Sequence, residues 1–254
     1  MHEDNTKKLF LLDAYALIFR SYYAFIKNPR ITSKGLNTSA IFGFLLTLEE
    51  VLQKQKPSHI AVVFDTPVPT FRHEMFKDYK ANRDETPEDI KKAVPYIKKL
   101  IEAYNIPVID YPGFEADDVI GTLARKASGK GFTTYMMTPD KDFAQLVTDN
   151  TLMFKPSRSG NESIQWGVED IKREFSVQRP EQVIDILALM GDSSDNIPGA
   201  PGVGPKTAMK LIGEYGSIEE LFRNTGRLKG KLREIIENNR EQIEISKKLA
   251  TIIL

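Results

Sequence analysis

Short apolar runs alternate with segments of helical periodicity along the first half of the chain. Four apolar runs predict buried strands, at Leu9–Asp13, His59–Asp65, Ile106–Ile109 and Phe132–Met137. Apolar residues spaced three and four apart predict helices over 41–52, 87–104 and 114–127, and a further helix from about Asp140. Strands that alternate with helices indicate an α/β domain with a mostly parallel sheet flanked by helices.

The pattern changes twice along the chain. Residues 66–86 lack core periodicity and are rich in proline, basic and aromatic residues. From about residue 178 the pattern becomes helical, with a helix at Glu181–Met190 and a glycine- and proline-rich turn before further helices. We therefore expect an α/β domain over 1–177 and a smaller helical domain over 178–254.

Composition removes several classes of site. The 254 residues include no cysteine and only three scattered histidines, which excludes disulfides, thiolate zinc sites and histidine-rich metal sites. No apolar run approaches the roughly 20 residues of a membrane helix, and no signal peptide precedes Lys7 and Lys8. We therefore expect a cytoplasmic protein.

Acidic residues follow the predicted strands. Ligands of open α/β sheets bind beyond the carboxyl ends of the strands, so these acids are expected to converge there. A single aspartate after a strand is usually a turn residue or a helix cap, but a set of this size is harder to explain in that way. Nine acids form the set: Asp13, Asp65, Glu115, Asp117, Asp118, Asp140, Asp142, Asp192 and Asp195.

Nine carboxylates that share a cleft repel one another unless protons or cations neutralise them. Carboxylates without histidine or cysteine favour Mg²⁺ or Mn²⁺, and two such ions suit an in-line displacement at phosphorus. The chain has 35 basic and 35 acidic residues. With the nine acids neutralised by metal, 35 basic residues face 26 acidic ones, and a surplus of +9 suits a polyanion.

Several ordered blocks of this sequence resemble the 5′ nuclease (flap endonuclease) superfamily, and most closely the N-terminal 5′→3′ exonuclease domain of bacterial DNA polymerase I. The resemblance covers nearly the whole chain. It is carried by Phe64–Asp65, Phe71–His73, Tyr79–Arg83, Phe114–Val119, Thr138–Phe143 and Gly191–Gly199.

The resemblance implies a PIN-like nuclease core and hydrolysis of DNA at 5′ ends or flaps by a metal-activated water, in primer removal and repair. It implies that the nine acids hold two or three Mg²⁺ or Mn²⁺ ions. Residues 66–86 correspond to the family's arch, in which Lys80 and Arg83 would polarise the scissile phosphate and Tyr79 would stack on a base. Arg20 and Arg72 would add phosphate contacts. The resemblance also implies a catalytic set of Asp13, Asp65, Lys80, Arg83, Asp117 and Asp140.

The segment Gly199–Thr207 is typical of a tight turn between two helices. Pro205 precedes Lys206, and no strand precedes the turn, so the segment is not a phosphate-binding Walker loop. It resembles the helix–hairpin–helix element of the family, which binds duplex backbone and often holds K⁺. Gly202, Gly204, Lys206 and Lys210 are the expected DNA-binding residues there.

Three alternatives differ in testable features. A PIN-type ribonuclease usually lacks the Asp192–Asp195 pair and the hairpin, and a non-catalytic junction-binding subunit would have lost acids that are all present here. A small-molecule phosphatase needs a second aspartate after Asp13-Ala14, where Tyr15 stands. A monomer is expected. The sequence leaves open a linked polymerase domain, flap or exonucleolytic preference, the number of metals, and an RNA or DNA 5′ strand.

Overall fold

A six-stranded, mostly parallel sheet forms the centre of the molecule, which is a computed structural model that describes residues 7–156 and 163–254. The strands are β1 (Lys7–Asp13), β2 (His59–Val63), β3 (Val108–Ile109), β4 (Phe132–Met137), β5 (Thr151–Lys155) and β6 (Ile164–Trp166). Their order across the sheet is β3-β2-β1-β4-β5-β6. Only β6 runs antiparallel to its neighbour among these strands. The predicted fold class is confirmed.

Helices cover the sheet and make up the C-terminal region. In chain order they are α1 (Ala14–Ala24), α2 (Ser39–Glu50), α3 (Phe71–Met75), α4 (Glu88–Ala103), α5 (Ala116–Ser128), α6 (Val168–Phe175), α7 (Val183–Met190), α8 (Pro205–Tyr215), α9 (Ile218–Arg223), α10 (Gly230–Asn238) and α11 (Arg240–Ala250). Within the described ranges, no helix is long and apolar enough to cross a membrane.

The alternation of side chains along β1 separates two cores. Phe10 and Leu12 pack with α1, α2 and α4 on one face of the sheet. Leu11 faces the other side, where α5 packs with α7 and most of the C-terminal helices. Val177 and Val183 both belong to this second core, so the expected division at 177/178 lies within continuous packing. That division stays a prediction.

The strand order places β1 at a reversal point. β2 and β3 lie on one side of β1, and β4 and β5 lie on the other. Asp13 ends β1 and is in register with Val63 of β2, two residues before Asp65. Loops that leave neighbouring strands in opposite directions at such a point open a crevice at the carboxyl edge of the sheet. The crevice lies where the acids were predicted to meet.

Several predicted boundaries need correction. α4 begins at Glu88, and Pro87 is its cap rather than its first helical residue. The helix expected from Asp140 is a short 3-10 helix at Lys141–Leu146. Residues 66–86 contain only the five-residue α3 and a series of turns. The sequence analysis did not predict α1, β5, β6 or α6. Of these four elements, α1 (Ala14–Ala24) matters for the site, because it brings two aromatic rings to the crevice, as described below.

Candidate metal-dependent nuclease site

Seven of the nine predicted acids line one cavity of about 200 Å³ at the carboxyl edge of the sheet. They are Asp13, Asp65, Glu115, Asp117, Asp140, Asp142 and Asp195. Asp192 lines an adjoining cavity of about 390 Å³, which shares Asp140, Asp142 and Asp195 with the first. Tyr15 and Phe19 of α1 complete one wall of the smaller cavity. The structure thus brings eight of the nine acids into two connected cavities.

Helix starts hold several of these acids in place. Asp13 caps α1, because the Ala16 N–H donates to its Oδ1 at 3.2 Å, and the Thr138 hydroxyl donates to its Oδ2 at 3.0 Å. Asp65 accepts the Ala116 N–H at 2.9 Å, which ties the end of β2 to the start of α5. The positions of both acids therefore follow from the order of strand and helix that the sequence predicts.

A second group of acids surrounds the 3-10 helix. Asp140 caps it by accepting the Asp142 N–H at 3.0 Å. Asp192 and Asp195 lie on a loop at Asp192–Ile197, here called the acidic loop, which is closed by hydrogen bonds between the backbones of its two end residues. Lys141 donates to Asp192 at 2.7 Å. Lys141 was not predicted, although its position between Asp140 and Asp142 was a usable signal.

The cavity is electrostatically unfavourable for its own carboxylates. Burial, together with repulsion from Asp65, raises the pKa of Asp13 to about 7. Desolvation also raises the pKa values of Asp65, Asp117, Asp140 and Asp142. Asp192 differs, because hydrogen bonds from Lys141 and Ser194 outweigh its burial and hold its pKa below the usual value. The group as a whole favours protons or added cations.

Two cations of the protein already reach into the cavity. Lys80 Nζ lies 2.6 Å from Glu115 Oε1 and 3.7 Å from Asp195 Oδ2, and Arg83 pairs with the other oxygen of Asp195. Burial lowers the pKa of Lys80, but Glu115 and Asp195 more than compensate and leave it raised. Both residues are therefore charged at neutral pH and lie against the carboxylates. Their contact with a phosphate stays a prediction.

Lys80 and Arg83 belong to a compact series of turns at Phe76–Arg83, here called the basic turn. Tyr79 lies within it but does not act as predicted. Its ring is 3% exposed, and its hydroxyl donates to Glu115 at 3.0 Å and Asp195 at 3.1 Å. A ring buried in this way has no free face for a base, so the stacking role is corrected to one of holding two acids.

Asp118 and Arg72 also require correction. Each is 1% exposed, and Arg72 donates to both Asp118 oxygens at 2.7 and 2.8 Å. Arg72 further donates to the carbonyls of Leu249 and Thr251, each at 2.9 Å. With its donors used in this buried network, Arg72 offers none to a phosphate, and Asp118 does not line either cavity. The pair clamps α3 and α5 to the C-terminal segment.

The donor set of the cavity fits a hard divalent cation. It consists of carboxylate oxygens, and Asp142 Oδ1 is buried without a hydrogen-bond partner among the described residues. In the ranges 7–156 and 163–254, however, no three acidic or histidine side chains already converge on a single point suited to an ion. Lys80, Arg83 and Lys141 lie against Glu115, Asp195 and Asp192 instead.

The predicted hairpin lies between α7 and α8. Gly202 has φ +77° in the exposed part of the turn, and Gly204 caps α8. Lys206 and Lys210 are exposed on α8 and pair with no residue in the described part of the chain. Arg20 lies on α1 and donates to the Pro156 carbonyl at 3.4 Å, outside the acidic cavity. The DNA contacts of these residues stay predictions.

Comparisons with known proteins agree with this geometry. Residues 8–176 match the family model described as the 5′-3′ exonuclease N-terminal resolvase-like domain, and residues 178–254 match the 5′-3′ exonuclease C-terminal SAM fold. The chain is 42% identical over 250 residues to DNA polymerase I of Bacillus subtilis, covering 97% of this chain but only 28% of that protein. It is 40% identical to a 5′-3′ exonuclease of Aquifex aeolicus, covering 96% of this chain and 81% of that protein.

A solved structure shares the fold. It is the flap endonuclease D15 of bacteriophage T5, variant D155K, in a pseudo-enzyme–product complex with DNA and metal ions. The two chains are 23% identical with a TM-score of 0.76, and the match covers 96% of this chain and 88% of the phage chain.

Proposed function

Since the chain belongs to the 5′-3′ exonuclease family, we propose that it is a divalent-metal-dependent 5′→3′ exonuclease and flap endonuclease that hydrolyses DNA phosphodiester bonds. Its role would be primer removal and repair. The observation that carries the proposal is the single cavity in which seven carboxylates face Lys80 and Arg83. Anionic ligands for metal and cationic groups for phosphate then meet in one space, as phosphodiester hydrolysis requires.

The metal would be Mg²⁺ or Mn²⁺, held in two or three sites. Asp13, Asp65, Glu115 and Asp117 would serve one side of the cavity, and Asp140, Asp142, Asp192 and Asp195 the other. When bound, the ions supply positive charge for the oxygens on phosphorus and lower the pKa of water. Asp118 is left out of the proposed set because it is engaged by Arg72.

The residues of the chain supply position and charge. Lys80 and Arg83 would donate to the oxygens of the scissile phosphate, exchanging their present pairs with Glu115 and Asp195 for the substrate. Tyr79 would keep those two acids in place through its hydroxyl. Asp13 and Asp65, fixed by the starts of α1 and α5, would hold the opposite side of the cavity.

The hairpin would bind the duplex backbone. Its exposed turn and the start of α8 present N–H groups, and Lys206 and Lys210 are available for phosphates. K⁺ at the hairpin carbonyls is part of the same proposal. We expect Lys206→Ala to weaken binding of unrelated duplexes equally and to reduce the salt slope of binding by about one unit. A sequence-dependent loss would contradict this assignment.

The cleavage experiment uses 5′-labelled flap, nicked duplex and single-stranded DNA, each with Mg²⁺ or with EDTA. Cleavage should require the metal and fall by orders of magnitude in Asp117→Asn. Asp110→Asn is the matched control, because Asp110 also follows a strand but lies outside both cavities. Calorimetric titration with Mg²⁺ alone should show weaker binding in Asp117→Asn only. Wild-type cleavage in excess EDTA would overturn the proposal.

The remaining predictions concern the protein beyond the site. A linked polymerase domain is supported by the polymerase relative, of which the matched region is 28%. A cytoplasmic location and a monomeric state stay predictions from the sequence.

A further inference from the structure

Two asparagines join the basic turn to the acidic loop through reciprocal hydrogen bonds. Asn82 Nδ2 donates to the Ser193 carbonyl at 2.6 Å, and Asn196 Nδ2 donates to the Asp78 carbonyl at 2.6 Å. Each segment therefore supplies one side-chain amide donor and one backbone carbonyl acceptor. The two bonds lie on either side of Lys80 along the basic turn, so they hold the segment that carries this cation at both ends.

Backbone strain accompanies these bonds. Lys80 has a φ of +57°, in the left-handed region that residues other than glycine, asparagine and aspartate rarely adopt, and Asn196 has a φ of +55° in the same region. The Lys80 N–H donates to the Asp195 carbonyl at 2.9 Å, and Arg83 Nε donates to the Ser194 carbonyl at 3.2 Å. A strained conformation persists only where surrounding contacts impose it. Here the contacts come from the opposite segment in each case.

The acidic loop is in turn held at its two ends. Gly191 and Gly199 flank it, and their backbones touch so closely that a Cβ on Gly199 would lie 2.4 Å from the Gly191 nitrogen. Gly199 is also bonded on both sides, because its N–H donates to Ser246 at 3.0 Å and its carbonyl accepts from Gln242 at 2.7 Å. The acidic loop, whose carbonyls accept hydrogen bonds from the basic turn, is therefore itself attached to α11.

We propose that Asn82 and Asn196 are positioning residues that determine where Lys80 and Arg83 lie over the carboxylates. The inference rests on the proposed nuclease function. Neither asparagine carries charge or lines the cavity, so its effect is transmitted through the cations and not through contact with the reacting atoms. Removing either tie would lower the reaction rate without weakening substrate binding.

The first test compares Asn82→Ala and Asn196→Ala with wild type in flap cleavage. We expect kcat to fall about fivefold in each variant, which corresponds to the about 1 kcal/mol that one hydrogen bond is worth when a tenfold change is 1.4 kcal/mol. KM should stay within twofold. Asn224→Ala is the matched control, because Asn224 Nδ2 also donates to a carbonyl, that of Glu220, far from the cavity. An increase in KM with kcat unchanged would overturn the proposal.

A double-mutant cycle tests whether the asparagines act through the cations. In a Lys80→Ala, Arg83→Ala background, adding Asn82→Ala should cause no further loss of residual cleavage, because the groups that it positions are gone. The same fold-loss in both backgrounds would show that Asn82 acts on something else.

Hydrogen exchange separates this inference from the proposed function. The Lys80 amide, bonded across to Asp195, should lose protection in both asparagine variants and keep it in Asn224→Ala. This measurement needs no DNA. If the protein cleaved no substrate, the nuclease proposal would be refuted, but the effect of the two asparagine hydrogen bonds on the basic turn could still be tested. Unchanged protection of the Lys80 amide in both variants would overturn the positioning role.

Discussion

Arg72 and Arg83 lie on the same stretch of chain, and each pairs with an aspartate, but their surroundings differ completely. The side chain of Arg72 is 1% exposed. It donates two hydrogen bonds to Asp118 and one to each of two backbone carbonyls. The side chain of Arg83 is 52% exposed and binds Asp195 and one carbonyl. The same pair of charges can thus be a fixed structural joint or a contact that is free to exchange with a ligand.

The difference follows from the cost of leaving a charge alone. An unpaired charge in a buried site cannot be rehydrated, so breaking the Arg72 pair penalises Asp118 fully. Asp195 is reached by water and by Lys80 as well, so losing Arg83 leaves it partly compensated. An arginine near an active site therefore cannot be assigned to substrate without knowing its burial.

The largest effect is expected at Arg72, the buried arginine, and concerns the stability of the fold. Arg72→Met should lower the free energy of unfolding by about 3–5 kcal/mol, because Asp118 then lacks its counter-charge. Urea denaturation measures this directly, and Arg72→Met combined with Asp118→Leu should recover part of the loss. Wild-type stability in the single variant would show that the clamp contributes little.

At Arg83, the exposed arginine, we expect a smaller effect, which appears in the cleavage rate and not in the stability of the fold. Arg83→Ala should reduce single-turnover cleavage of flap DNA about 100-fold, since under the proposed function this side chain supplies positive charge to the scissile phosphate. Its unfolding free energy should change by less than about 1 kcal/mol. Arg173→Ala is the control, because that arginine forms a similar exposed pair with Asp170 on α6. A large loss of stability in Arg83→Ala would erase the contrast between the two ends.

The third prediction concerns Asp13, which accepts hydrogen bonds but pairs with no cation in the described ranges. Its pKa of about 7 lies above the ordinary 3.8, so the folded state binds this proton more tightly than the unfolded state. Without divalent ions, stability should fall as pH rises from about 4 to 7 and level off above that. Asp65, Asp117, Asp140 and Asp142 act in the same direction, and Asp192 opposes them.

At pH 8 in EDTA, Asp13→Asn should raise the free energy of unfolding by about 2 kcal/mol. A pKa shift of this size represents about 4 kcal/mol of destabilisation by the charged carboxylate. We expect about half of it to be recovered, because the asparagine amide retains only some of the hydrogen bonds of the carboxylate. The gain should vanish at pH 4, where the wild-type carboxyl is protonated. Thermal melts at both pH values measure it, with Asp110→Asn as the control. A gain that is equal at both pH values would contradict the assigned pKa.

The sequence predicted the acids well because their positions depend on local order. Asp13, Asp65 and Asp140 each follow a strand that an apolar run predicts, and parallel strands bring such ends to one edge. β5 and β6 were not predicted. β6 is a three-residue edge strand with exposed side chains, and β5 (Thr151–Lys155) has no distinctive pattern of its own. The sheet was therefore predicted in its centre and missed at one side.

The errors at Arg72, Asp118 and Tyr79 have a different origin. Arg72 is held by carbonyls 177 and 179 residues away, and a carbonyl is present at every position of a chain, so no residue pattern marks the ones that matter. Tyr79 is buried because the basic turn folds inward against His73 and Glu115, which depends on packing alone. A motif identifies the residues of a site, but only the fold separates those that face the cavity from those that face away.

The clamp between Arg72 and the carbonyls of Leu249 and Thr251 also has a consequence during synthesis on the ribosome. Arg72 on α3 cannot form these bonds until residue 251 has left the exit tunnel, because the chain emerges from its N-terminus. The acidic loop that holds Lys80 and Arg83 also emerges after the strands that carry Asp13, Asp65 and Asp140. The joint between α3, α5 and the C-terminal segment is therefore among the last parts of this chain to form.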